Sequence, residues 1–217
     1  MNSMVALRPL RKNDLPALER LVMLSWEYQR YYPRPMAALL AREFCYECLA
    51  TQNFAQVACR GGQLLGVVMG RWEAGFSPRA VRGWRLRRWL LHGALGLLPG
   101  GGRRGLRLLA GVQQVDGQLL EESGGGCDAE VVLLAVDHSA RGHGIGRMLL
   151  QSLEDWLRAQ GAKSCYLFTD TTCSYAFYHA VGYQRAAEKP VRLPLWEKEV
   201  GFFLYRKELA APKEGHL

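Results

Sequence analysis

At 217 residues the chain is long enough to bury a substantial core, as one large domain or two small ones. Its 49% hydrophobic and 22% charged content excludes a disordered or collagen-like chain, and no apolar run approaches the roughly 20 residues that cross a bilayer. The net charge of +8 is concentrated in one place: Arg79, Arg82, Arg85, Arg87, Arg88, Arg103, Arg104 and Arg107 lie between Ala74 and Val115, a stretch without Asp or Glu. The remaining 20 basic residues balance the 20 acidic ones, so a neutral domain carries a basic insert.

The first residues, Met1 to Arg8, lack the apolar core of a secretion signal, which makes a cytoplasmic location the default expectation. Met4–Leu10 reads as a short strand in which Pro9 argues for an edge. Asn13 or Asp14 can cap a helix that tolerates Pro16 in its first turn, and Leu18, Leu21, Val22 and Trp26 recur at helical spacing. Tyr31-Tyr-Pro-Arg-Pro35 interrupts, and a second helix is expected from Met36 to about Thr51. The corner near Tyr28, Tyr31 and Tyr32 could line a pocket or simply pack. Phe54–Arg60 and Gln63–Trp72, joined by Gly61-Gly62, form a β-hairpin and are therefore antiparallel.

The basic insert, about residues 74–126, mixes Val81, Trp84, Trp89, Leu91, Leu95 and Leu98 with arginines in an amphipathic helical pattern. Pro99-Gly-Gly-Gly102 ends that helix; a second is expected from Arg103 to about Val115, followed by a flexible hinge at Glu121–Gly126. Glu130–Val136 is a continuous apolar run, as in a strand covered on both faces. Along it Glu130, Val132, Leu134 and Val136 are expected to share one face. Ile145, Met148, Leu149, Leu153, Trp156 and Leu157 stripe the next helix, which Gly161 ends. Ser164–Thr169 is then a parallel strand reached by a right-handed crossover. A short helix from Thr172 to Ala180, strands from Gln184 to Leu195 and from Val200 to Leu209, and a frayed tail from Ala210 complete the chain.

The chemistry centres on Arg141-Gly-His-Gly-Ile-Gly-Arg147, a glycine-rich turn between strand and helix. Unpaired N–H groups at a helix start, at the positive end of its dipole, make such a turn an anion cradle. The Gly142-x-Gly144-x-Gly146 spacing, late in the chain and after a hairpin, is not a dinucleotide fingerprint. No Gly-Lys-Ser/Thr follows, which excludes a Walker loop. The six scattered cysteines (Cys45, Cys48, Cys59, Cys127, Cys165, Cys173) include one Cys-x-x-Cys with no second pair at zinc spacing, and the five histidines lack ligand spacing too. Reduced structural thiols and no metal are expected.

Arg141-x-x-Gly144-x-Gly146, the strand ending Leu134-Ala-Val-Asp137 before it, and Phe177-Tyr178-x-x-x-Gly182-Tyr183 after it resemble the GNAT superfamily of acetyl-CoA-dependent N-acetyltransferases. The order of elements is similar over nearly the whole chain, the insert excepted. The resemblance implies a single N-acetyltransferase domain over 1–217 with a helical insertion at about 74–126. Its fold would be α/β (α+β) with a mixed, mostly antiparallel sheet and a parallel strand pair at the cofactor site. It implies that acetyl-CoA is the acetyl donor, its pyrophosphate on Arg141, Gly142, His143, Gly144, Ile145, Gly146 and Arg147. The pantetheine arm would lie along the backbone of Leu134, Ala135 and Val136. It further implies Tyr178 as the acid that protonates the departing thiolate. An Asn that the family often has seven residues before that Tyr is Thr171 here, so Thr171 or Ser174 would supply the polar contact.

Only a neutral amine is nucleophilic, so a base is needed; Glu130 is the first candidate, with Asp128 and Asp170 as alternatives. No cysteine is placed as a nucleophile, and direct attack by a primary amine in a ternary complex is the expected route. The insert is open to three readings: a lid or packing element, an amphipathic element (residues 79–107) on a membrane surface, or, last, a nucleic-acid binder. The rival to catalysis is a non-catalytic module on the same fold acting at a membrane or polyanion. The acceptor and the oligomeric state are not legible.

Overall fold

The computed structural model describes residues 4–192 and 199–209. Their elements are β1 (Ala6–Pro9), α1 (Leu15–Ser25), α2 (Arg34–Thr51), β2 (Phe54–Arg60), β3 (Gln63–Trp72), α3 (Arg82–Leu97), α4 (Gly102–Glu122), β4 (Ala129–Val136), α5 (Ile145–Ala159), β5 (Ser164–Asp170), α6 (Ala176–Ala180), β6 (Gln184–Val191) and β7 (Val200–Glu208). The expected strand beyond Arg192 to Leu195 and the tail from Ala210 lie outside the described residues. The seven strands form one sheet in the order β1-β2-β3-β4-β5-β7-β6. Every neighbouring pair is antiparallel except β4–β5, which is parallel.

Local chemistry accounts for much of this. Gly61 and Gly62 both have positive φ, 55° and 85°, the backbone a two-residue hairpin turn requires. Pro9 sits in β1, an edge strand, where its missing N–H breaks no ladder. Gly161 (φ 86°) closes α5.

Two helical layers cover the sheet. On one face α5 buries Ile145, Leu149, Leu150, Leu153 and Leu157 against Val68, Val131, Leu167, Phe203 and Tyr205. On the other, α1 and α2 pack Leu18, Val22, Leu40, Ala41 and Cys45 against Val57, Val67, Met69, Leu133 and Ala135. That second layer would end at β4 without the insert. Instead α4 covers Tyr166, Phe202 and Leu204, the side chains of β5 and β7 that face away from α5, using Leu108, Val115 and Leu119. The arginine-rich insert is thus part of the core.

Close approach is written into its glycines. A Cβ on Gly102 would lie 2.1 Å from the carbonyl oxygen of Leu95 in α3, and one on Gly105 would lie 2.5 Å from the Leu40 methyls in α2. At the far end Arg206 of β7 donates to Ser123 Oγ (2.9 Å) and to the Gly125 carbonyl (2.6 Å). The helix α4 runs on to Glu122, past the expected end near Val115, because its apolar stripe continues through Leu119 into the core. The expected hinge is therefore helical in its first two residues, and Gly124, Gly125 and Gly126, all at positive φ, make the turn into β4.

One further expectation is corrected. The short helix spans only Ala176–Ala180, because Asp170 ties Thr172 into a turn: the Thr172 N–H donates to its carboxylate at 2.6 Å. Of the two readings of the tyrosine corner, packing holds: Tyr28 and Tyr32 are buried in the core, with Tyr31 exposed beside them. No helix of the described residues is long and apolar enough to cross a membrane.

Candidate active site

The parallel strands β4 and β5 pair only at Ala129↔Cys165 and Glu130↔Tyr166. Beyond that point β3 keeps its grip on β4 as far as Val136, and β7 on β5 as far as Asp170. Each strand follows its outer neighbour, so the two part, and a cleft of about 840 Å³ opens between them. Val131 to Val136 line one side and Tyr166 to Asp170 the other.

A β-bulge shapes this wall. Met69 pairs with Leu133 but Gly70 pairs with Val131, leaving Val132 as the extra residue. Strict alternation is broken there, which overturns the expectation that Glu130 and Leu134 share a face. Leu134 and Val136 pack with α5, whereas Leu133 and Ala135 join α1 and α2. Glu130 turns to Arg71 of β3 (2.8 Å) and accepts from Tyr166 Oη (3.3 Å). Burial pushes its carboxyl above the ordinary value, and Arg71 offsets part of that.

At the upper end of β4 the turn leads into α5. Asp137 accepts from the Ser139 N–H (2.9 Å), and Arg141 donates through Nε to the Val136 carbonyl (3.3 Å). Gly142 and Gly144 adopt φ of 79° and 77°, and a Cβ on either would meet open space. Their glycine identity therefore answers to backbone conformation and not to packing. No side chain caps α5, so its first N–H groups face outward unpaired. Arg141 and Arg147 are exposed and make no ion pair among the described residues. Uncapped N–H groups and two guanidiniums without an ion pair among the described residues are the donor set a pyrophosphate needs, so the residues fit an acetyl-CoA phosphate.

Arg141, Gly142, Gly144, Ile145, Gly146 and Arg147 all line the cleft, with Leu134, Ala135 and Val136. His143 does not, its Nδ1 lying 2.9 Å from the Arg141 carbonyl. Ser174 lines it with Thr172 and Cys173. Thr171 is turned away: its Oγ1 accepts from the Gly201 N–H (3.2 Å). Tyr178 enters the cleft from α6, stacked among Phe177, Tyr183 and Tyr205 at 5.3, 6.0 and 6.0 Å between ring centroids. Its hydroxyl has no hydrogen-bond partner among the described residues. Burial, with Cys173 and Asp170 nearby, pushes the phenol well above its usual value, so it stays protonated at neutral pH.

The other half of the cleft holds residues the sequence did not point to. Trp26, Phe44 and Glu47 come from the first two helices, and Leu109, Val112 and Asp116 from one stripe of α4. Glu47, 3.4 Å from Arg88, is pushed up to about 7, chiefly by burial. Asp116 is pushed up to about 8 by burial and then by Glu130, Asp170 and Glu47; it has no hydrogen bond or ion pair among the described residues. Its one sequence signal was position: it is the first acid after the acid-free run that begins at Ala74. Asp128 lies outside the cleft, accepting from the Lys163 and Ser164 N–H groups (2.7 and 3.2 Å). No group of three or more His, Cys, Asp or Glu among the described residues is placed to hold a metal ion.

Residues 109–183 match the family model for the GNAT acetyltransferases. No curated protein sequence matches the chain significantly. Solved structures share the fold at low identity. The ribosomal-protein-S18-alanine N-acetyltransferase of Escherichia coli superposes with a TM-score of 0.56 at 13% identity, covering 99% of this chain and 100% of that one. SsHAT gives 0.66 at 20%, over 95% and 98%. The yncA protein of Salmonella typhimurium, solved with its cofactor acetyl-CoA, gives 0.54 at 14%, over 96% of each.

Proposed function

We propose, from the match of residues 109–183 to the GNAT acetyltransferase family model, that the chain transfers the acetyl group of acetyl-CoA to a primary amine by direct attack in a ternary complex. One observation carries the reading: an uncapped, arginine-flanked helix start and an unpartnered tyrosine hydroxyl open onto the same gap between β4 and β5. Acetyl-CoA supplies a thioester whose carbonyl carbon accepts the amine nitrogen as the carbon–sulfur bond breaks. The turn Arg141–Arg147 holds the phosphates, and backbone groups along Leu134–Val136 orient the acyl arm. Tyr178, kept protonated by burial, delivers its proton to the sulfur that leaves.

The amine must shed a proton first. Glu130 receives it in this proposal, directly or through water, with Asp170 on β5 and Glu47 on the facing helix as further carboxylates within the cleft. Glu47, Asp116 and Glu130 line this half beside Arg71, and their carboxyls offer hydrogen-bond partners to an amine or ammonium, which supports an amine acceptor. Trp26, Phe44, Leu109 and Val112 offer its body an apolar wall. The six cysteines are all unpaired, which fits a reducing, cytoplasmic setting.

Calorimetric titration with acetyl-CoA followed by turnover on a panel of primary amines tests the reading, and no binding at millimolar acetyl-CoA would sink it. Tyr178→Phe is expected to lower kcat by about 10²-fold or more with acetyl-CoA affinity nearly unchanged, the size of a lost general acid. Unaltered kcat would remove Tyr178 from the chemistry. A purely binding role for the fold is disfavoured, since it needs neither the open turn nor the free phenol.

A further inference from the structure

Helix α3 has two apolar faces. Trp84, Leu91 and Leu95 point inward with Arg88 and pack on α2: Trp84 stacks on Tyr46 at 5.7 Å, and Arg88 reaches Glu43 at 3.1 Å. On the opposite side Leu86, Trp89, Leu90 and, two turns on, Leu97 share one stripe along the helix. Nothing among the described residues covers them. Trp89 is 70% exposed, Leu97 82%, Leu86 and Leu90 56% each. Gly93 continues the stripe with no atom near its Cβ position.

A surface helix normally turns one apolar stripe to the core and charge to water. Here the water-facing stripe is apolar as well, and arginines border it. Arg82 and Arg85 are exposed and make no ion pair among the described residues, and no acid occurs on α3. Guanidiniums beside Trp and Leu, with no acidic residue to repel phosphate, match the boundary of an anionic bilayer: the charges meet lipid phosphates while the stripe enters the acyl region. A nucleic acid would use the arginines and leave Trp89, Leu90 and Leu97 in water, so the apolar stripe decides for lipid.

We propose that the outer face of α3, Leu86-Trp89-Leu90-Leu97 bordered by Arg82 and Arg85, is a peripheral docking surface for anionic membranes. It does not depend on the acetyl-transfer reading, because none of these residues lines the cleft. The stripe faces away from α2, so docking leaves the cleft walls undisturbed.

Co-sedimentation with vesicles of phosphatidylcholine and phosphatidylglycerol (7:3), against vesicles of phosphatidylcholine alone, tests it. The full chain is expected to pellet with the anionic vesicles at low salt and several-fold less at 0.5 M salt. Trp89→Ser combined with Leu90→Ser should weaken partitioning at least tenfold while leaving the circular dichroism spectrum and thermal unfolding midpoint nearly unchanged, which shows that the variant is folded. Arg82→Gln with Arg85→Gln should reduce the preference for anionic over neutral vesicles. Equal pelleting of the serine variant and the parent would overturn the proposal. So would a dimer, seen by sedimentation velocity without lipid, that the serine substitutions abolish, or oligonucleotide binding that survives them.

Discussion

Asp116 is the side chain whose surroundings depart furthest from what its neighbours in sequence suggest. It follows a run of arginines, yet the groups that perturb it are Glu130, Asp170 and Glu47, all negative, after burial itself. Its folded value near 8 stands above the ordinary carboxylate value of about 4. A raised carboxyl favours the fold fully below the unfolded value and loses that contribution as pH climbs through the folded one. Between about pH 4 and 8 the native protein therefore loses stability that an amide would keep. Asp116→Asn is expected to match the parent near pH 4 and to exceed it by about 1–3 kcal/mol above pH 8, after discounting for residual solvent access. Urea midpoints across that range check it, and a difference that does not grow with pH would refute the assignment. Glu130 titrates in a different setting, with Arg71 at 2.8 Å offsetting its burial.

Among the elements, α3 and α4 show how one residue type serves opposite ends. Gly93 lies on the open side of α3 with nothing within 4 Å of its Cβ position, whereas Gly102 starts α4 against the Leu95 carbonyl. Gly93→Ala should stabilise the protein by up to about 1 kcal/mol, the helix-propensity gain with no steric cost. Gly102→Ala should destabilise it by about 1–3 kcal/mol, because the neighbour that must move is backbone. Thermal or urea unfolding of the two variants tests both, and equal signs would mean that the α3–α4 junction is slack. The strand β4 carries the other decisive element, a one-residue bulge at Val132 that splits the wall between two cores.

For the whole molecule, the insert completes the second helical layer. Without residues 74–126 the sheet would expose Tyr166, Phe202 and Leu204, which α4 covers with Leu108, Val115 and Leu119. Deleting it should abolish cooperative folding, read as loss of soluble yield and of near-ultraviolet dichroism. A shortened protein melting within a few degrees of the parent would show that α4 is an appendage. The same argument explains why membrane binding has to be tested with substitutions on α3 and not by deletion.

Local signals carried the strands, the Gly61-Gly62 hairpin, the α5 stripe and the Arg141–Arg147 turn. Period and positive-φ glycines act over a few residues, and the backbone obeys them wherever the segment sits. Tyr178 came as a candidate through the resemblance of its Phe177-Tyr178 segment to a known family. The cleft's other half was not. Glu47 and Asp116 meet only because α4 crosses β5 and β7 while α2 covers β2 to β4, and no periodicity encodes that meeting. The bulge at Val132 comes from pairing with β3, and it alone turned Glu130 toward Arg71 and away from the Leu134 face. Thr171 was drawn off by the Gly201 N–H of β7. The sequence by itself determined the elements and the glycine-rich turn; the packing of distant segments decided which charges face one another, because electrostatics acts through space and not along the chain.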